Sequence, residues 1–332
     1  MMLFRILLAA LLLAPMPVQA QVEHPKLTLS IGTFIISYLP LPVADAKGFF
    51  KRQGLDVTIQ NFGAGGAKAL QSLIGGSSDV VVGFYDHTIQ MQADGQDVRC
   101  VILLNRNPGI ALAVRDDLPA IKEPKDLAGK KIGITGPGSS TDFLLRYLLA
   151  RSGVKSDDVS IIAVGSGASV VAAMERKSIE AVMNYDPAIT MLERKQLAHV
   201  MVDGRTSEGS AKAFGGSYPA SCLYSTGAFI AKNPVTMQRL VNAFADALAY
   251  IDKTPAAEIA AALPAEYGLG DPGLFADVIA KSKPMFPPKG TFDVKDLERA
   301  RIVLGEFNEK VRAAKIRLED TYTNRFVEAV GH

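Results

Sequence analysis

Tryptophan is absent from the 332 residues, and only two cysteines and four histidines are present. Any aromatic contact to a ligand therefore falls to tyrosine, phenylalanine or histidine. The histidines (His24, His87, His199, His332) and cysteines (Cys100, Cys222) never gather at metal-ligand spacing, which argues against a metal centre and against any bound cofactor. Charge of one sign is also lacking. The 36 Lys and Arg stand against 34 Asp and Glu, and no basic run accumulates, so the sequence offers no nucleic-acid footprint. After the first twenty residues no apolar run is long enough to read as a membrane span. What is present is 48% hydrophobic residues and 29 glycines, enough for two α/β units with their own cores.

The first twenty residues read as a leader. Arg5 supplies a positive start, Ile6 to Ala14 form an apolar run, and Pro15 and Pro17 interrupt it before it could span a bilayer. Val18-Gln19-Ala20 offers small residues at a cleavage site, so residues 1–20 are expected to be a signal peptide and Gln21 the mature start, in the periplasm. No cysteine follows to carry a lipid.

Strand-like and helix-like segments then alternate, as in βαβ units on a parallel sheet. Leu27–Thr33 reads as a strand, Pro42–Gln53 as a helix closed by Gly54, Leu55–Gln60 and Asp79–Val82 as strands. A second series runs through Ile132–Thr135, Val159–Val164 and Glu180–Met183. The two series echo each other at an offset of 101: Gly66 with Gly167, Leu70 with Val171, Leu73 with Met174, Val81 with Val182. One residue of slippage then aligns Tyr85-Asp86 with Tyr185-Asp186. From Leu223 the pattern changes. A strand to Ala231 is expected, then a helix from Pro234 to Lys253 with Met237, Leu240, Val241, Phe244, Leu248 and Ile251 on one stripe. Further helices are expected near 256–263, 272–281 and 293–312, packed back on an existing unit.

Open parallel sheets bind ligands beyond the carboxyl ends of their strands. The segments at such ends supply the candidate ligand-binding residues: Ser37 and Tyr38; Gly65; Tyr85, Asp86 and His87; Gly138, Ser139, Ser140 and Thr141; Asn184, Tyr185 and Asp186; and Tyr218. Gly138 to Thr141 could offer free backbone N–H groups to an anion, or simply cap a helix. Asp86 and Asp186 read equally as helix caps. The four tyrosines could line a pocket with a flat face and a hydroxyl, and Arg106 could pair with a carboxylate or sulfonate. Neither glycine loop completes a nucleotide motif, and Gly165-Ser166-Gly167 lacks the surroundings of a nucleophile elbow. No catalytic residue is expected.

Leu39-Pro40, the block Ala46-Lys47-Gly48-Phe49-Phe50-Lys51-Arg52-Gln53-Gly54-Leu55-Asp56-Val57, the segment Leu70–Gly83 and Asp126-Leu127-Ala128-Gly129-Lys130-Lys131-Ile132-Gly133 resemble the nitrate/taurine/alkanesulfonate-type substrate-binding proteins of ABC importers. The resemblance implies an α/β, two-lobed periplasmic binding protein fold with two chain crossings (type II) and a ligand cleft between the lobes. Residues 21–115 with 216–332 would form lobe I and 116–215 lobe II, with crossings near 111–115 and 215–221. It implies a monomeric receptor that takes a small organic anion (a sulfonate, a nitrate-like ion or an aromatic carboxylate) and delivers it to an inner-membrane permease. Alternatives are a binder of a thiamine pyrimidine precursor, a sensory module, or an enzyme of the thiamine-pyrimidine synthase branch, whose cysteine-rich motif is missing here. On the implied topology Cys100 begins a strand running toward the cleft and Cys222 one running away. Two free thiols, beyond the ~7 Å limit for a bridge, are therefore expected.

Overall fold

Val80–Phe84 and Ala181–Tyr185 are buried along their whole length, and each becomes the middle strand of a five-stranded sheet. The computed structural model describes residues 21–331; the expected signal peptide lies outside them. The strands are β1 Lys26–Ile31, β2 Asp56–Asn61, β3 Val80–Phe84, β4 Val98–Leu103, β5 Ile110–Arg115, β6 Lys131–Ile134, β7 Ser160–Ala163, β8 Ala181–Tyr185, β9 Ala198–Asp203 and β10 Ser221–Thr226. The first sheet has the order β2-β1-β3-β10-β4 and the second β7-β6-β8-β5-β9.

The 101-residue echo thus becomes a topological one. β1, β2, β3 and β4 occupy the same places as β6, β7, β8 and β9. The fourth place in each sheet is taken by an antiparallel strand, β10 in the first and β5 in the second. Both inserted strands carry a register shift, at Leu223/Tyr224 and Leu112/Ala113.

This exchange corrects one expected boundary. Residues 110–115 pair with β8 and β9 in the second sheet, so the chain leaves the first sheet before Ile110 and not at 111–115. Ile-Ala-Leu-Ala-Val-Arg is buried throughout, a core strand rather than a crossing. The chain returns to the first sheet between Phe214, the end of a helix, and Ser221.

Local chemistry corrects three element ends. Gly48, at φ 68°, splits the expected helix into Pro40–Ala46 and Phe49–Arg52, and Gly54 ends the second at φ 73°. β10 stops at Thr226, whose hydroxyl accepts from Phe229 N and caps a helix, Gly227–Lys232, in place of the expected strand. Asn308 divides the last long helix into Val294–Phe307 and Glu309–Ala313 by accepting from Lys310 N and Val311 N.

The helix Pro234–Lys253 buries its whole apolar stripe, with Phe244 edge-on to Phe50 at 5.5 Å. Each such side chain contributes about 2 kcal/mol relative to exposure. The later helices reach both sheets' neighbourhoods: Phe307 meets Phe143 of the helix Ser140–Arg151 at 6.0 Å, and Arg194 pairs with Asp271 at 3.7 Å.

The free-thiol expectation is overturned, because a disulfide joins Cys100 and Cys222 with Cα atoms 6.0 Å apart. The strands do run in opposite directions, but they are direct neighbours. Without the shift, Cys100 would stand opposite Ser225, three residues from Cys222. The extra residue at Val101 puts Cys100 opposite Tyr224, two residues away and on the same face as Cys222.

Candidate functional site

The carboxyl ends of the two sheets meet through their glycine loops. A Cβ at Gly65 would lie 2.9 Å from Ser139 Cβ and 3.2 Å from Gly136 N, so the backbones touch only because side chains are missing there. Beside this contact the Ser140 hydroxyl donates to Asp86 Oδ1 at 2.9 Å, linking the helix that follows β6 to the helix that follows β3. Ile36 N donates to Asp186 O at 3.2 Å, and Thr33 Oγ1 lies 2.8 Å from Ser166 Oγ.

Asp86 is fully buried, and its second oxygen accepts from the Tyr218 hydroxyl at 3.1 Å. Burial pushes its carboxyl above the ordinary range, opposed by His87 and by the Ser140 and Tyr218 hydroxyls. Burial pushes the neighbouring His87 downward, towards the neutral imidazole, against the pull of Asp86. His87 Nδ1 lies 3.3 Å from the Tyr224 hydroxyl, while Nε2 is buried without a partner.

The tyrosines divide. Tyr38 and Tyr185 flank Phe84 at 6.2 and 5.7 Å, a cross-sheet aromatic cluster, and Tyr218 stacks on Phe214 and reaches Asp86. Tyr85 faces elsewhere, its hydroxyl 2.6 Å from Thr321 Oγ1 and its ring against Phe292. It is therefore a packing residue of the C-terminal segment. Phe84, the last residue of β3, instead meets Tyr38 and Tyr185, because Tyr85 already has helical backbone at the start of the next helix and turns its ring away.

Several expected residues are locally committed. Ser139 donates to Gly136 O, Thr141 accepts from Thr135 N, and Gly138 N donates to Asp142 Oδ2. Ser37 donates to Pro108 O and accepts through its carbonyl from Ser221 Oγ. Asn184 bridges Gly165 O and Tyr185 N. Arg106 is exposed.

Asp186 has a cation where, among the described residues, Asp86 pairs with no lysine or arginine. Arg205 Nη1 approaches Asp186 at 3.5 Å, but the same guanidinium grips Asp203 through two bonds and reaches Glu193 at 3.0 Å. Sequence reading missed Arg205, Phe84 and Asn105, which holds Ser221 Oγ at 2.7 Å. The Asp203-x-Arg205 spacing was the available signal for the first. Electrostatically the crevice therefore presents a buried acceptor. An anionic ligand about 4 Å from an ionised Asp86 would meet repulsion on the order of 4 kcal/mol at an effective dielectric near 20.

Two α/β sheets joined by crossings, with the loops beyond their strand ends in contact, define a two-lobed solute-binding fold. The chain belongs to the NMT1/THI5-like family, which matches residues 36–258. A solved structure from Bordetella bronchiseptica RB50 is 42% identical, covers 93% of this chain and 97% of its own, and superposes with a TM-score of 0.89. The alkanesulfonate-binding protein SsuA of Xanthomonas axonopodis pv. citri, bound to MOPS, shares the fold at 18% identity, covering 92% and 100% of the two chains with a TM-score of 0.70. A Bacillus subtilis (strain 168) chain, YtlA, that carries the name of a binding protein is 24% identical across 86% of this chain and 84% of its own.

Proposed function

We propose that this chain is the extracytoplasmic solute-binding component of an ABC importer. It closes two lobes over a small organic solute, and an inner-membrane permease recognises the closed form. The observation that carries the reading is the meeting of the two sheets' loops, Gly65 against Gly136 and Asp86 bonded to Ser140. In this proposal the first lobe comprises residues 21 to about 104 with the segment from 221 onward, and the second about 110 to 214. Residues 1–20 direct a monomer to the periplasm.

The sequence favoured an organic anion, with a thiamine pyrimidine precursor second. The buried, cation-free Asp86 favours the second class. The family's name and a relative from Aspergillus parasiticus point the same way. That relative is 25% identical over 306 residues and is named 4-amino-5-hydroxymethyl-2-methylpyrimidine phosphate synthase. The binding role asks no chemistry of any side chain, and both cysteines are held in a disulfide. Thermal denaturation of residues 21–332 against sulfonates, nitrate, aromatic carboxylates and pyrimidines tests the receptor reading. A true ligand at ~100 times its Kd stabilises by ~2.7 kcal/mol. Turnover of a bound compound would sink it.

A further inference from the structure

We propose that Asp86 selects the solute of this cleft, and that the solute presents an N–H donor there, as an ammonium, an amidine or an amino-substituted heterocycle. The inference rests on the receptor reading above and narrows its substrate class.

Both carboxylate oxygens of Asp86 are arranged to accept. One takes the Ser140 hydroxyl from the second sheet's side, the other the Tyr218 hydroxyl beside the returning crossing. Among the described residues no lysine or arginine forms an ion pair with Asp86, and the adjacent His87 is biased toward its neutral form. Its counterpart Asp186 is served by Arg205 and by Thr190 N and Oγ1. Among the described residues, Asp86 is thus a buried acidic acceptor held by two neutral hydroxyls and the backbone N–H of His87, with no full cation against it. When the lobes part, those bonds across the cleft are the ones a ligand can replace. An N–H donor, above all a charged one, makes a stronger bond to a carboxylate than a hydroxyl does. A solute carrying only acceptors would set lone pairs against lone pairs. The rings of Tyr38, Phe84 and Tyr185 beside the site add faces that attract a cation or stack on a flat heterocycle.

Matched pairs isolate the donor: taurine against ethanesulfonate, 4-aminopyrimidine against pyrimidine, benzamidine against benzoate, each titrated calorimetrically into residues 21–332. In at least one pair the donor-bearing member should bind about tenfold tighter or more, and Asp86→Asn should remove most of that difference while Asp86→Glu retains it. The pair comparison uses the unaltered protein, so it stands even if Asp86→Asn does not fold. The inference is overturned if donor-free members bind as well in every pair, if Asp86→Asn keeps the discrimination, or if no donor-bearing probe binds at millimolar concentration. Preference for the donor-free member in every pair would sink the inference and leave the receptor standing. Conversion of a bound probe to product would instead sink the receptor.

Discussion

Asp86 and Asp186 occupy equivalent places just beyond the middle strands of two sheets built to one plan, yet their surroundings differ. In the second sheet Asp186 accepts from Thr190 N and Oγ1 and meets Arg205, which Asp203 and Glu193 also hold. In the first, Asp86 is more deeply buried and, among the described residues, is met by the hydroxyls of Ser140 and Tyr218 and by His87, which burial biases to neutrality. A repeated fold supplies the position twice. The local charge decides whether that position serves as scaffold or remains an acceptor at the crevice. The same division appears in covalent form, since the first sheet's inserted strand is tied by a disulfide and the second sheet contains no cysteine.

The contrast breaks most visibly at Arg205. Arg205→Ala leaves three carboxylates without their shared cation, one of them buried, and should cost about 4 kcal/mol in urea denaturation. Asp86→Asn should stay within about 1 kcal/mol of the parent, because it deletes a buried charge while keeping the shape. Equal costs would dissolve the distinction between scaffold and acceptor. Next in size is the first sheet's bridge, whose removal by paired Cys100→Ser and Cys222→Ser should cost about 3 kcal/mol. Alkylation of the unfolded protein without reductant should find neither thiol free. Smaller in stability but large in function is Gly65→Ala. Its methyl would press on Ser139 Cβ, so the lobes should rest further apart, with a larger radius of gyration in X-ray scattering and ligand affinity lowered about tenfold. An unchanged radius would show that the loops are not the closing contact.

The echo was readable in one chain because helix-then-strand units carry their burial pattern in composition, and β3 and β8 are continuous apolar runs. Most candidate residues do come together, because strand ends gather wherever parallel sheets form. What escaped depends on strands that are distant in sequence. Nothing local marks β5 as a member of the second sheet, since its paired residues in β8 and β9 lie 67 to 92 positions ahead. The disulfide depends on a single extra residue at Val101, which shifts Cys100 into reach of Cys222. Tyr85 was chosen by residue type, but β3 ends one residue before it and the helix start turns its ring toward Phe292 while Phe84 meets Tyr38 and Tyr185. Arg205 acquires meaning only when Asp186, Glu193 and Asp203 converge on it.

The finest test of the contrast is the pH dependence of stability. Asp86 has a folded carboxyl raised above its unfolded value, chiefly by burial. Below the unfolded value, near 4, both states hold the proton and Asp86 imposes no penalty. As pH rises above that point the unfolded chain releases its proton first, so stability falls until the folded carboxyl has also ionised. The sign is opposite to that of Asp117, which Arg115 and Lys177 hold well below the carboxylate range. Asparagine cannot titrate, so Asp86→Asn should lack the fall attributable to this site. The difference in unfolding free energy between variant and parent should therefore grow from acid toward neutral pH and then level off. His87 is retained in both proteins, but burial lowers it and Asp86 pulls it upward, so its own titration also shifts when Asp86 is replaced. The same comparison with Asp117→Asn should run the other way, because Arg115 and Lys177 hold that carboxyl low in the folded chain. If the Asp86→Asn difference does not change with pH, the Asp86 carboxyl is not raised by folding and the first sheet holds no distinct acceptor.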